Sequence, residues 1–116
     1  MKKNYKLLLI SIFFLSAVTV KTQEYSKELT VQLSASVQNS PPQIILNWVN
    51  DGTGNGGQAY KIYRRITGSG SAWGSHISSH SASASQYIDN NVAIGINYEY
   101  KIRKSMGGSY GYGYIN

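Results

Sequence analysis

The sequence has no cysteine. That excludes disulfides, thiolate metal sites, thiol redox chemistry and a lipid attached through a cysteine behind a leader. A small domain of this size, which outside the cytoplasm is often stapled by disulfides, must here rest on packing alone. Acids are scarce as well: Glu24, Glu28, Asp51, Asp89 and Glu99 are all there are. Paired carboxylates for acid–base work therefore have little to draw on. Proline occurs only as Pro41-Pro42, and histidine only as His76 and His80. A single long apolar run exists, Leu7 to Val20. Its 14 residues fall short of the roughly 20 that span a bilayer.

What is present begins with that run. Lys2, Lys3 and Lys6 precede it, as in a secretory signal peptide. Residues 1–22 read as this leader. Ala17 and Thr22 both offer a small residue for cleavage, and Thr22 removes the whole apolar stretch. The expected compartment is secreted or extracytoplasmic, with no stable membrane anchor after cleavage. The lysine-rich leader is compatible with a bacterial source. Removing it also changes the charge. The chain carries 11 Lys and Arg against 5 acids, a net +6. Four of those cations (Lys2, Lys3, Lys6 and Lys21) lie in the leader, which leaves seven against five, or +2. Nucleic acid is not an expected partner at that charge.

The remaining 94 residues suffice for one domain with a modest core. Residues 23–28 are a polar lead-in, and 29–116 alternate with period two, the pattern of half-buried strands. Leu29, Val31, Leu33, Ala35 and Val37 share one face of a first strand, which Pro41-Pro42 ends. The second strand runs from Gln43 to Val49 with Ile44, Leu46 and Trp48 inward. A glycine-rich loop, residues 50–57, leads to a third strand over Ala59 to Ile66. There Tyr60 and Ile62 point inward, and Lys61, Tyr63 and Arg65 outward. A short edge strand is expected around Trp73, another over Ala84 to Ile88, a strong one over Ile96 to Lys104 with Tyr98, Tyr100 and Ile102 inward, and a last over Tyr110 to Ile115. No segment of the mature part sustains a helical period. Seven short strands indicate an all-β, immunoglobulin-like sandwich.

Ile44-x-Leu46-x-Trp48, Tyr60-x-Ile62-Tyr63-Arg64, Tyr87-x-Asp89 and Gly95-x-x-Tyr98-x-Tyr100-x-Ile102 together resemble a fibronectin type III domain over Leu29 to Ile115. The resemblance implies that Trp48 is the central core tryptophan. It implies that Tyr98 is a corner tyrosine, whose hydroxyl bonds backbone a few residues upstream, and it gives the Tyr100 hydroxyl no such role. Ile94 stands where the family often has proline, and no Arg-Gly-Asp tripeptide is present. Such modules commonly sit inside larger extracellular enzymes or adhesins. The chain stops at its last strand and reads as the start of a longer protein.

Apparent catalytic and metal motifs lack their context. Gly52-x-Gly54-x-Gly56-Gly57 opens a strand, whereas a phosphate loop opens a helix. Asp51, Thr53 and Asn55 imitate the start of a calcium loop, but its twelfth position is Ile62 where a glutamate is needed. His76 and His80, on an extended chain, lie roughly 13 Å apart, too far for one ion; they read as exposed loop residues. Gly107-Gly108-Ser109-Tyr110-Gly111 matches a nucleophile elbow in letters only, since no helix follows. Asp89 reads as a turn-former.

The aromatic residues remain. Tyr60, Tyr87, Tyr98 and Tyr100 fit core positions; Tyr63, Tyr110, Tyr112 and Tyr114 are expected to be open to solvent. The candidate binding residues are Tyr63, Arg64, Arg65, Tyr112 and Tyr114, since flat amphipathic rings beside arginine suit protein or glycan contact. No catalytic residue, metal or cofactor is expected. The expected function is a non-catalytic spacer or interaction module contacting neighbouring domains, an extracellular protein or a glycan. The rival reading is a stand-alone adhesin or glycan-binding module using exposed tyrosines. A small secreted hydrolase would require a pocket with perturbed titrating groups.

Overall fold

The computed structural model describes residues 30–116. The leader, both cleavage points, the lead-in and Leu29 lie outside the described residues. Seven strands follow in order: β1 (Leu33–Asn39), β2 (Pro42–Trp48), β3 (Tyr60–Ile66), β4 (Ser78–His80), β5 (Gln86–Asp89), β6 (Tyr98–Ser105) and β7 (Tyr110–Ile115). All pairings are antiparallel. The sheets are ordered β1-β2-β5 and β4-β3-β6-β7, an immunoglobulin-like sandwich.

The period-two sequence explains the layers. Leu46 and Trp48 from β2 meet Tyr60 and Ile62 from β3 and Tyr100 and Ile102 from β6, with Val31 and Ala59 completing the core. Ile44 and Tyr98 are partly buried against it. The Trp48 and Tyr60 rings, one from each sheet, lie 5.2 Å apart and join the layers. Burying side chains of this size contributes roughly 1.5–3 kcal/mol each, the main source of stability in a chain without disulfides.

The first strand departs from expectation. It starts at Leu33 rather than Leu29, and Ala35 and Val37 are exposed, Val37 by 72%. β1 is an edge strand: Leu33 still packs on the core, but Ala35 and Val37, beside Leu46 and Ile44 in register, stay exposed along that edge. Val31, ahead of the strand, leans on the other sheet and donates its N–H to the Tyr112 carbonyl at 3.1 Å. Pro42 opens β2 instead of separating the strands. The first residue of a strand is a place that tolerates proline; the turn is Ser40-Pro41, whose peptide bond is cis.

Trp73 forms no edge strand. Ser78–His80 takes that place against β3, while the Trp73 ring stacks on the outer face of the sheet. Four consecutive residues ending the β5–β6 connection, 94–97, stay outside β6, which starts at Tyr98 rather than Ile96.

Candidate functional site

The four-stranded sheet turns one face to the core and the other outward. Register decides which side chains share the outer face. Tyr63 lies opposite Lys101, and Lys101 opposite Tyr114. Lys61 lies opposite Arg103, and Arg103 opposite Tyr112. Arg65 faces Glu99. On β7 the alternation Tyr-Gly-Tyr-Gly-Tyr sends rings outward and Gly111 and Gly113 inward. The inward glycine is obligatory at 113, where a Cβ would stand 2.3 Å from the Val31 carbonyl oxygen.

The outer side chains interleave cations with rings. Lys101 Nζ lies 4.2 Å from the Tyr63 ring centre, 5.3 Å from Trp73 and 5.8 Å from Tyr112. Arg65 stacks on Trp73 at 4.1 Å, and Arg103 on Tyr110 at 4.5 Å. Trp73 also touches Tyr114, with centroids 6.1 Å apart. Tyr112 and Tyr114 are 6.5 Å apart with planes 24° from parallel. Each cation–ring contact at such a surface is worth about 0.5–1 kcal/mol, so the array orients its members. Tyr112 is 39% and Tyr114 62% exposed; Tyr63, expected to be open, is only 9% exposed, because Lys101 and His76 lie against its ring.

Charge on this face is unbalanced. Glu99 binds the Arg65 Nε, and Arg65 Nη1 also donates to the Ser71 carbonyl at 2.8 Å. Among the described residues no carboxylate pairs with Lys61, Lys101 or Arg103. Burial, then the charges of Arg103 and Arg65, pull the Lys101 ammonium below the usual lysine range.

Four of the five expected binding residues thus gather: Tyr63, Arg65, Tyr112 and Tyr114. Arg64 does not join them. Alternation turns it inward, where Nη1 bonds both Asp89 oxygens at 3.0 and 2.8 Å and the Asn91 carbonyl at 2.9 Å. Burial disfavours its charge, but the Asp89 carboxylate more than compensates, and its pKa is raised. Sequence reasoning missed Trp73, Lys101, Arg103 and Tyr110. Lys101 and Arg103 carried a signal, being the outward positions of β6; Trp73, in an irregular connection, carried none.

The remaining chemistry-bearing groups are engaged elsewhere. Asp51 accepts from Thr53 N and Oγ1 at 3.0 and 2.6 Å and from Lys104 Nζ at 2.9 Å. The Thr53 hydroxyl, aided by Lys104, holds this carboxyl down to about 2. Asp89 bonds the Asn91 N–H at 3.0 Å, as a turn-former does, yet is also almost wholly buried. His80 is not an exposed loop residue. It sits half-buried on β4, Nε2 2.8 Å from Ser78 Oγ, its ring 5.3 Å from Tyr87 and 6.2 Å from Trp48. Burial lowers its pKa. His76 is exposed, with its ring edge-on to Tyr63. Ser109 closes the β6–β7 turn, accepting the Met106 N–H at its carbonyl, 2.9 Å. Among the described residues no three His, Asp or Glu converge.

A cleft of about 630 Å³ opens at the opposite end from the glycine-rich loop, lined among others by Val37, Ile44, Ile94, Ile96 and Tyr98. Tyr98 is its one titratable side chain, and that hydroxyl accepts the Ala93 N–H at 3.0 Å. This is the corner arrangement expected of Tyr98.

The fold has a counterpart among solved structures. The crystal structure of a Fn3-like protein from Clostridium thermocellum matches with a TM-score of 0.52 and 24% identity, over 73% of this chain and 86% of that one. No family model matches the chain, and no curated protein does. The chain has a fibronectin type III-like fold.

Proposed function

We propose that this fibronectin type III-like chain is an exported, non-catalytic interaction module, and that the outer face of β4-β3-β6-β7 is its contact surface. The observation that carries the reading is the interleaved array of Tyr63, Trp73, Tyr112 and Tyr114 with Arg65, Lys101 and Arg103. Rings held in place by cations lose little entropy on binding, and exposed aromatics with arginine are typical of contact surfaces. Lys2, Lys3 and Lys6 before a short apolar run support export. The cleft supports the non-catalytic reading, because its lining offers no acid, base and nucleophile in mutual reach. Partners fitting this reading are a neighbouring domain, an extracellular protein or a glycan.

The test is a screen of the purified exported protein against arrays of extracellular proteins and glycans, beside the variant Tyr112→Ser/Tyr114→Ser. Both tyrosines are exposed, so the variant should melt within a few degrees of the parent. Binding lost in the variant supports the surface. Binding that survives places contact elsewhere, and no binding to either array favours a plain spacer.

A further inference from the structure

Lys61 and Arg103 lie directly opposite one another on β3 and β6, and like charges so placed destabilise a sheet. Lys101, two residues from Arg103, adds a third positive charge to the same face. The one acid on these outward positions, Glu99, is taken by Arg65. Arg103 Nε is buried with no hydrogen-bond partner, an unmet donor in the middle of the cluster. A cluster of cations that the chain itself leaves uncompensated is what an incoming anion would complete. Beside it stand the exposed rings of Tyr112 and Tyr114, close to parallel, with Trp73 against Tyr114. Ring faces take up the apolar faces of other rings.

We infer that this face binds a linear polyanionic glycan, with Trp73, Tyr112 and Tyr114 stacking on its sugar rings while Lys61, Lys101 and Arg103 meet its carboxylates or sulfates. The inference rests on the face being a contact surface and adds the chemistry of the partner. A peptide strand would need free backbone groups at a sheet edge. At β7 the Tyr112 carbonyl is already taken by Val31 N–H, and β4 at the other edge has only three residues. The face offers ring planes and cations instead. Single-stranded nucleic acid also favours rings among cations, but a leader of this kind directs a chain out of the cytoplasm, away from it.

The experiment measures equilibrium binding of the purified exported protein to polygalacturonate, dextran sulfate, neutral dextran, a polyglutamate peptide and a thymidine oligonucleotide. At least one of the two acidic glycans should bind, weakening as salt is raised, and should bind at least tenfold tighter than dextran, polyglutamate or the oligonucleotide. The arms separate carboxylate from sulfate. Lys61→Gln/Arg103→Gln and Tyr112→Ser/Tyr114→Ser should each weaken it at least tenfold, in proteins that keep the parent's cooperative unfolding. Equal affinity for polyglutamate or the oligonucleotide overturns the glycan and leaves charge attraction alone. Binding to dextran only, lost in the tyrosine variant, overturns the polyanion while the contact surface stands. Polyanion binding that survives both variants overturns the surface itself, and no binding to any probe overturns the inference.

Discussion

Tyr100 donates its hydroxyl proton to Asp89 Oδ2 at 2.8 Å in the interior of the sandwich. Asp89 is 1% exposed, and Arg64 and the Asn91 N–H bond the same carboxylate. One side chain thereby ties β5, β3, β6 and the turn after β5. Burial, then the bond to Asp89, pushes the Tyr100 phenol far above its usual range. A buried charge with its partners in place persists, whereas one stripped of a partner is costly.

Tyr100→Phe and Tyr98→Phe should therefore differ. Tyr100→Phe removes a donor from a buried carboxylate and should cost about 1–3 kcal/mol. Tyr98→Phe leaves only the Ala93 N–H, near solvent, without its acceptor, and should cost about 1 kcal/mol or less. Urea melts of the two variants decide this. A larger loss for Tyr98→Phe would mean that the corner, not the buried network, fixes β6. Read from the resemblance alone, Tyr98 was the structural hydroxyl and Tyr100 a silent ring; the two roles are in fact both structural.

Gly113→Ala should be poorly tolerated, because the new methyl would press on the Val31 carbonyl at 2.3 Å and on Ile102 Cγ2 at 3.2 Å. Overpacking of this kind costs about 1–3 kcal/mol, or roughly 4–8 °C in melting temperature per kcal/mol for a domain of this size. Gly57→Ala, where a Cβ meets nothing within 4 Å, is the control. Equal melting temperatures for the two would show that Val31 does not dock on β7.

His80 should make the fold sensitive to mild acid. Burial depresses its folded-state pKa below the ordinary 6.5, so between those values the unfolded chain binds more protons than the native one. The contribution is fully present above about pH 6.5 and is lost as pH falls through the folded-state value. Melting temperature should drop from pH 7 to pH 5, and the drop should be smaller in His80→Gln but unchanged in His76→Gln. The same slope in His80→Gln as in the parent would contradict this.

Alternation made most of the fold legible. In β2, β3, β6 and β7 one face packs on the core, so Ile44, Leu46, Trp48, Tyr60, Ile62, Tyr98, Tyr100 and Ile102 all fall where period two sends them. It misled at β1, where Ala35 and Val37 alternate correctly but lie on an edge strand and stay exposed beside Leu46 and Ile44. The candidate site was legible in part. Tyr63 and Arg65 are two apart and share a face; Arg64 sits between them and must point the other way, with Tyr60 and Ile62. Trp73 was not legible, because stacking on Arg65, rather than strand pairing, fixes its place. Asp89 shows a local signal with a distant continuation: its turn bond is visible in sequence, its bonds to Arg64 and Tyr100 only in the folded sheet pair.

The most direct measurement is a backbone amide chemical-shift map of the isotope-labelled protein titrated with polygalacturonate and, separately, with dextran sulfate. Shifts should concentrate at Lys61, Tyr63, Trp73, Lys101, Arg103, Tyr112 and Tyr114, and leave Val37, Ile44, Ile94 and Ile96 unmoved. Shifts centred instead on the Val37–Ile94 cleft or on the Asn50 to Gly57 loop, with the outer face silent, would contradict the assignment of the contact surface.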